Sequence, residues 1–169
     1  VFAMANPDPE ISYKLAKRTR EDIIIATGRS DHPNQVNNVL GFPFIFRGAL
    51  DVRASKINEE MKMAAVYALA ELAKEPVPEI VNIVYKEKKL MFGRDYIIPK
   101  PFDPRLISTV PPRVAKAAID SGVAELNIEN WDKYRKDLEL RLGNNNRITR
   151  LLIAKSKQDP KKIVYVEAD

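Results

Sequence analysis

Short apolar runs separated by polar, turn-forming segments mark the first part of the chain. Residues 1–5 and 22–26 are almost entirely apolar; the first run predicts a buried strand, and the second predicts a strand buried on both faces of a parallel sheet. Between them, residues 12–20 predict a short helix with Leu15 and Ala16 facing inward. A strand, a helix and a second strand in this order are typical of a βαβ unit. The pattern therefore predicts an α/β fold with a parallel sheet.

Helical patterns follow in the middle of the chain. Residues 36–54 have the length and composition of a helix, and Pro43 inside them predicts a kink or a split. Ser55 is the expected N-cap of a further helix that ends near Lys74. The predicted inward face of this further helix consists of Ile57, Met61, Ala64, Ala65, Ala68, Leu69 and Leu72.

Prolines and glycines mark the boundaries of elements in the second half of the chain. Residues 80–85 fit a helix or a strand, whereas residues 97–98 predict a short strand. Pro111 and Pro112 are expected at the start of a helix whose C′ position is Gly122.

The end of the chain predicts two more helices and a strand. Asn130 begins a helix that Gly143 ends, residues 147–157 form a short amphipathic helix, and residues 162–166 form a strand. The apolar face of the first of these helices holds Trp131, Tyr134 and Leu138. The composition changes at residues 143–147, which are the best candidate for a domain boundary.

Composition narrows the classes of function. The 169 residues include no cysteine, which excludes disulfides, thiolate metal sites and a cysteine nucleophile. The net charge of +5 comes from basic residues spread along the chain, without the concentrated stripe that nucleic-acid binding requires. No apolar run approaches the ~20 residues that span a bilayer. We therefore expect a cytoplasmic protein with neither a nucleic-acid nor a membrane partner; an RNA-binding domain has only the net charge in its favour.

Polar residues follow both predicted strands of the sheet. Asn6 comes directly after the first strand, and residues 28–31 follow the second. Because the carboxyl ends of parallel strands share one edge of a sheet, where open α/β sheets bind ligands, these residues should lie close together. Asn37 and Asn38 then enter the next helix, where amide side chains and unpaired backbone N–H groups could hold a small carboxylate and the amide of a nicotinamide. The alternative is that these asparagines only cap turns and helices.

Other chemically active residues are sparse. His32 is the only histidine, so a histidine-based metal site is excluded, and we expect a loop residue rather than a general base. Arg47 lies in an apolar segment, which favours a structural ion pair. No G-x-G-x-x-G follows a strand, so the dinucleotide fingerprint is missing. A nucleotide-binding sheet in this chain would therefore be the second half of one.

Four long motifs carry a family resemblance. They read VFAMANPDPEI, DIIIATGRSDHPNQVNNVLGFPFIFRGALD, INEEMKMAAVYALAELA and FGRDYIIPKPFDPRL. Together they resemble the later part of the cofactor-binding domain of bacterial malic enzymes, in particular of the large multidomain type. The tail, RITRLLIAKSKQDPKKIVYVEAD, resembles the linker helix and first strand of the phosphotransacetylase-like domain that follows in those hybrid enzymes.

The resemblance implies a fold class and a domain division. The expected fold class is α/β, the second half of a Rossmann-like parallel-sheet cofactor domain followed by helices and a linker. Residues 1–126 would be the C-terminal part of a malic-enzyme NAD(P)-binding domain, residues 127–157 a helical linker, and residues 158–169 the first strand of the next domain. Both ends of the sequence fall in predicted strands, so we expect the chain to be an internal piece of a longer protein.

The resemblance also implies an activity. Enzymes of this family decarboxylate malate oxidatively to pyruvate and carbon dioxide, reduce NAD or NADP, and use Mg or Mn. Asn6 would correspond to the asparagine of the family's A-N-P motif, which lies beside the substrate and the nicotinamide. Asn37 and Asn38 would correspond to the N-N pair that contacts substrate and cofactor, with Asn37 as the first choice.

The family's remaining functional residues should precede residue 1. These are its catalytic tyrosine and lysine, its metal-binding carboxylates and its glycine-rich phosphate loop, so the isolated chain is expected to be inactive. The expected partners are malate and pyruvate, the N-terminal part of the same protein, and further copies in a homo-oligomer. A competing hypothesis is a non-catalytic interaction module, in which helices within residues 111–157 make oligomer contacts and another chain covers the exposed sheet edge.

Overall fold

The computed structural model describes residues 1–5 and 7–142. Asn6 and the elements predicted over residues 147–157 and 162–166 lie outside the described residues. In chain order the elements are β1 (Phe2–Ala3), α1 (Tyr13–Thr19), β2 (Ala26–Thr27), a 3-10 turn (Asn38–Leu40), α2 (Phe42–Asp51), α3 (Glu59–Lys74), α4 (Glu79–Tyr85), α5 (Leu106–Asp120) and α6 (Trp131–Leu140). The α/β fold class is confirmed.

The two strands pair in parallel, as the βαβ pattern predicts. Phe2 lies opposite Ala26, and Ala3 lies opposite Thr27. The Ala26 amide donates to the Val1 carbonyl oxygen at 2.9 Å. The strands are only two residues long, however, and the apolar runs around them lie outside the regular ladder.

Burial on both faces, predicted for the second strand, is confirmed for β2, because Ala26 and Thr27 point to opposite faces and are both buried; β1, predicted as a buried strand, is buried on one face only. Ala3 and Ala26 are buried, but Phe2 is 66% exposed and Ile24 is 42% exposed. The described residues therefore bury β2 on both faces and leave one face of β1 open, and the apolar run before β2 is partly exposed.

A third extended segment runs along the other edge of β2. Thr27 forms a parallel bridge with Gln35, and the Val36 amide donates to the Thr27 carbonyl oxygen at 2.8 Å. The chain thus leaves β2 in a tight loop and returns parallel to it within a few residues. This return brings residues 37–38 to the carboxyl end of the sheet.

Helix α1 forms at the predicted place with a different inward face. The Ser12 hydroxyl accepts a hydrogen bond from the Leu15 amide at 3.3 Å and caps the helix. Ala16 is fully buried, whereas Leu15 is 54% exposed. The prediction that Leu15 faces inward is therefore wrong.

Pro43 lies where the predicted helix is split, which is one of the two outcomes expected of it. The segment predicted as a single helix over residues 36–54 is a 3-10 turn followed by α2. Pro43 lies in the first turn of α2, where a missing N–H costs nothing because no helical acceptor precedes it. The long helix predicted from composition is therefore two elements.

Helix α3 has the predicted face and a different cap. Asn58, not Ser55, is the N-cap, and its side-chain oxygen accepts from the Met61 amide at 3.1 Å. The Ser55 hydroxyl donates instead to the Val123 carbonyl oxygen at 3.2 Å. The predicted end near Lys74 is confirmed, as is the inward face, whose fully buried members are Met61, Ala65, Ala68 and Leu72.

Helix α5 contains the two prolines that were expected to start it. Pro111 and Pro112 lie inside α5 and are buried, so the predicted helix start is wrong. Gly122 follows the end of α5 with a φ of +72°, which confirms the predicted C′ glycine. Residues 80–85, left open between helix and strand, belong to α4.

The core lies between α2, α3 and α5. Gly48 on α2 allows the closest approach, because an added Cβ would lie 2.6 Å from the Pro111 oxygen and 2.8 Å from the Val114 Cβ. The buried core cluster consists of Leu40, Ala49, Val52, Met61, Ala65, Ala68, Leu72, Leu106, Val110, Val114, Ala115 and Ala118.

Helix α6 closes the core from outside and presents the predicted face. Asn130 caps it by accepting from the Lys133 amide at 2.9 Å. Leu138 is fully buried, and Trp131 and Tyr134 pack against the core cluster. No helix in residues 1–5 and 7–142 is long and apolar enough to cross a bilayer.

Candidate functional site

The polar loop after β2, residues 28–33, forms the carboxyl edge of the described sheet. Within this loop, the guanidinium of Arg29 donates two hydrogen bonds of 2.8 Å each to the carboxylate of Asp31. The bond from Arg29 holds the pKa of Asp31 at about 2, below its usual value. Both side chains are about half exposed, so the pair is a solvated feature of the loop rim.

A shallow depression of about 490 Å³ opens beside this loop. It is lined by Pro7, Gly28, Arg29, Ser30, Asp31 and Gln35. The Gln35 amide donates to the Gly28 carbonyl oxygen at 3.3 Å and closes the loop base. The structure thus brings the segment after β1 and the loop after β2 to one edge, as parallel pairing predicts.

Asn37 and Asn38 lie at the start of the 3-10 turn, and both are exposed. The Asn37 side-chain oxygen accepts from the Val39 amide at 3.1 Å, so this residue caps the turn. With Val39, Phe42 and Pro43, Asn38 lines a second depression of about 320 Å³. Capping occupies the Asn37 oxygen and leaves its amide nitrogen without a hydrogen-bond partner among residues 1–5 and 7–142.

Asn34 is a buried polar residue beside the loop that sequence analysis did not single out. It is 2% exposed and has a left-handed backbone with a φ of 55°. Its side-chain nitrogen donates to the Ile25 carbonyl oxygen at 3.1 Å and to the Arg94 carbonyl oxygen at 2.7 Å. Its side-chain oxygen accepts from the Ile97 amide at 2.8 Å. The available signal was the Pro-Asn step in a turn, because asparagine tolerates left-handed geometry.

Residues 97–98 do not form the predicted strand. The preceding residues make a turn in which the Gly93 and Tyr96 backbones exchange bonds of 3.0 and 3.2 Å. Asn34 takes up the Ile97 amide that a strand neighbour would have used. Tyr96 is buried at 2% exposure and anchors the turn.

His32 and Arg47 behave as the sequence predicts. The His32 ring stacks on Tyr13 with ring centroids 4.6 Å apart, which suits a loop residue held by packing. Arg47 pairs with Asp51 one helical turn later, and its Nε donates at 2.8 Å. The ion pair is therefore structural.

A larger depression of about 560 Å³ lies on the other side of the loop, between residues 30–33 and the segment after α4. Lys100 on its wall is half-buried, and burial lowers the pKa of its amine. Its ammonium lies 5.1 Å from the centre of the Tyr85 ring. Acidic and basic side chains line this depression together, so it has no clear charge preference.

Metal ligands do not cluster in the part of the chain that the structure describes. No group of three or more His, Asp or Glu residues there is placed to hold an ion. A divalent metal therefore does not fit these residues, because Mg²⁺ and Mn²⁺ need converging carboxylates.

Parallel strands whose carboxyl ends open into amide-rich loops are typical of ligand-binding α/β domains. Residues 1–87 match the family described as the malic enzyme NAD-binding domain, and the chain belongs to this family.

Relatives and solved structures agree with this assignment. The NADP-dependent malic enzyme of Rhizobium meliloti is 54% identical over 169 residues, which are all of this chain and 22% of that protein. The NAD-dependent malic enzyme of the same organism is 48% identical, again over the whole chain and 22% of its own length. The crystal structure of Entamoeba histolytica malic enzyme superposes with a TM-score of 0.70 at 36% identity, covering 96% of this chain and 30% of that one. The chain thus spans about a fifth of the length of these two curated relatives.

Proposed function

We propose that this chain forms one wall of the active site of an enzyme that oxidises and decarboxylates malate to pyruvate and carbon dioxide. The observation that carries the proposal is the family match over residues 1–87, which includes the loop after β2 and both exposed asparagines. The chain spans only 22% of its malic enzyme relatives, so the activity belongs to the longer protein.

The proposed binding residues are Asn6, Asn37 and Asn38. An asparagine amide offers both donor and acceptor atoms, which suits a carboxylate on the substrate and the carboxamide of a nicotinamide. Exposure of Asn37 and Asn38 at the start of the 3-10 turn supports their access to a ligand. Their contribution is to orient the two reactants for hydride transfer, which is catalysis by positioning.

The cofactor in this proposal is NAD or NADP. An NADP-dependent and an NAD-dependent relative both match the chain over its whole length, at 54% and 48% identity respectively. The residue that reads the ribose follows a glycine-rich loop by about 20 positions, and no such loop is present in the sequence. Mg or Mn belongs to the same proposal, with its ligands outside the described residues.

We further propose that the longer protein is of the hybrid type. Residues 1–126 then complete the cofactor domain, residues 127–157 are the helical linker, and residues 158–169 begin a phosphotransacetylase-like domain. Exposed apolar side chains support a covering segment from the N-terminal part of the same protein: Val1 is 57% exposed and Phe2 66% exposed. We also propose that the longer protein is cytoplasmic and forms a homo-oligomer.

An assay of the longer protein tests the proposed activity. Purified protein is mixed with malate, Mn²⁺ and either NAD or NADP, and cofactor reduction is followed with pyruvate and carbon dioxide release. We expect all three products in equal amounts and no reduction without malate. Cofactor reduction that releases no carbon dioxide would contradict the decarboxylation.

Titration of the isolated chain with NAD tests whether the site that holds the cofactor's pyrophosphate lies in another part of the protein. We expect no measurable binding, because the sequence lacks the glycine-rich loop that holds the pyrophosphate. Tight binding by residues 1–169 alone would overturn the assignment of the phosphate site to another part of the protein.

A further inference from the structure

The side chain of Asn34 joins three segments that meet beside the candidate site. Its nitrogen bonds the carbonyl oxygens of Ile25, before β2, and of Arg94, in the turn of residues 93–96. Its oxygen bonds the Ile97 amide, 63 residues further along the chain. All three bonds are between 2.7 and 3.1 Å, so both ends of the amide are used.

The backbone of Asn34 sets the direction of the chain as it leaves the loop. Its φ of 55° is one of three positive values among the non-glycine residues that the structure describes. Directly after it, Gln35 and Val36 pair with Thr27 in parallel. The left-handed residue therefore turns the loop back onto β2, and Asn37 follows two residues later at the start of the 3-10 turn.

We propose that Asn34 is a positioning residue for Asn37 and Asn38, an inference that rests on the proposed function. At 2% exposure, Asn34 is too buried to contact a substrate or cofactor. It acts through the chain: its amide holds the segment from Thr27 to Asn37 against the turn of residues 93–96. Small displacements of groups that orient reactants have large effects on rate, so this fixation matters for turnover beyond its effect on stability.

Asn82 provides a matched control for a buried, purely structural asparagine. It is 5% exposed, and its side-chain oxygen accepts from the Leu90 amide at 2.8 Å. Like Asn34, it therefore holds a loop to a secondary-structure element. It lies on α4, and its bonds do not reach residues 34–38.

The test compares Asn34→Gly with Asn82→Ala in the full-length enzyme. Glycine keeps the left-handed backbone without strain and removes all three side-chain bonds. We expect Asn34→Gly to lower kcat/KM for malate by about 10- to 100-fold and to speed amide exchange in residues 35–40. Asn82→Ala should lower the unfolding temperature but leave kcat/KM and exchange in residues 35–40 unchanged.

The two readouts separate failure of this inference from failure of the proposed function. Unchanged kcat/KM in Asn34→Gly, in an enzyme that turns over malate, would overturn the positioning role and leave the proposed function standing. An enzyme without malate activity would overturn the proposed function, and amide exchange would then decide alone whether Asn34 holds residues 35–40. Exchange that is equally fast in both variants, or unchanged in both, would overturn the inference.

A second variant covers the case in which Asn34→Gly does not fold. Asn34→Asp keeps the size of the side chain and its acceptor for the Ile97 amide. The introduced carboxylate faces the two carbonyl oxygens, whereas its protonated form can donate to one of them. We expect kcat/KM relative to the wild type to fall as pH rises, and a ratio that is independent of pH would count against the positioning role.

Discussion

The helical layer and the sheet edge of this chain are built by different means. In the layer of α2, α3 and α5, a contiguous cluster of apolar side chains is buried around Leu106 and Val114, both fully inaccessible. At the sheet edge the strands are two residues long, and one buried polar side chain, Asn34, ties the loop, the strand and the turn together. Apolar packing holds the helical layer together, whereas directional hydrogen bonds hold the sheet edge together.

The difference indicates where stability and function reside. Buried apolar area contributes most of the folding free energy, so the helical layer should dominate unfolding. Hydrogen bonds are modest in net energy but strict in geometry, which suits a region that must present amides in fixed directions. Changes in the layer should therefore alter stability first, and changes at the edge should alter binding first.

The largest effect is expected from a cavity in the helical layer. Leu106→Ala removes a side chain with 0% exposure and should cost about 2–5 kcal/mol, because lost burial adds to the void left behind. The control, Leu126→Ala, truncates a side chain that is 44% exposed and should stay within about 0.5 kcal/mol of the wild type. Urea denaturation measures the free energy of unfolding of both variants. Similar losses in the two would contradict the claim that the helical layer contributes most of the stability.

A smaller loss is expected where α2 touches α5. Gly48→Ala would place a methyl group 2.6 Å from the Pro111 oxygen, and such overpacking should cost about 1–3 kcal/mol. Gly41→Ala is the matched substitution, since its added Cβ would meet nothing closer than 3.8 Å. Thermal unfolding compares the two, and tolerance of alanine at both positions would refute the close approach.

Tyr134→Phe tests whether α6 belongs to the same layer. The Tyr134 hydroxyl donates to Asp51 on α2 at 2.7 Å, and burial together with this carboxylate raises the pKa of Tyr134. Loss of a bond to a charged group should cost about 1.5 kcal/mol. The control, Tyr67→Phe, alters a ring that is 59% exposed and should leave the denaturation midpoint unchanged. Equal denaturation midpoints in the two variants would contradict the inclusion of α6 in the helical layer.

The smallest effect is expected at the sheet edge, from the Arg29–Asp31 pair. The pKa of Asp31 is lowered to about 2 by the bond from Arg29, so the unfolded chain takes up this proton first as pH falls. The stabilising contribution is then complete above about pH 4 and is lost as pH falls toward 2. A carboxyl NMR titration should show the low pKa and its return toward 3.8 in Arg29→Gln. A pKa that does not respond to that substitution would exclude the pair as the cause.

Periodicity predicted the helical layer well because burial there is a local property of each helix face. The inward face of α3 and the apolar face of α6 both follow from residue spacing. Pro111 and Pro112 misled the prediction because their local preference for a helix start is overridden by burial of both residues inside α5. Ser55 and Asn58 are both good caps, so their spacing alone could not decide between them.

The sheet edge was predictable only in part, because its geometry depends on contacts across the sequence. The parallel pairing and the position of residues 28–31 followed from the βαβ pattern. The role of Asn34 did not, since its partners Arg94 and Ile97 lie about 60 residues away. Identification of Asn37 and Asn38 as binding residues rests on family resemblance and stays a prediction.

The most direct test of the central claim is a double measurement on Asn37→Ala in the longer protein. Asn37 caps a turn through the Val39 amide, so some stability must be lost whatever its function. The matched control is Asn130→Ala, which removes the same kind of cap from α6. We predict comparable shifts in unfolding temperature, with kcat/KM for malate lowered about tenfold or more in Asn37→Ala only. Equal malate turnover in both variants would contradict the claim that this edge of the sheet faces the substrate.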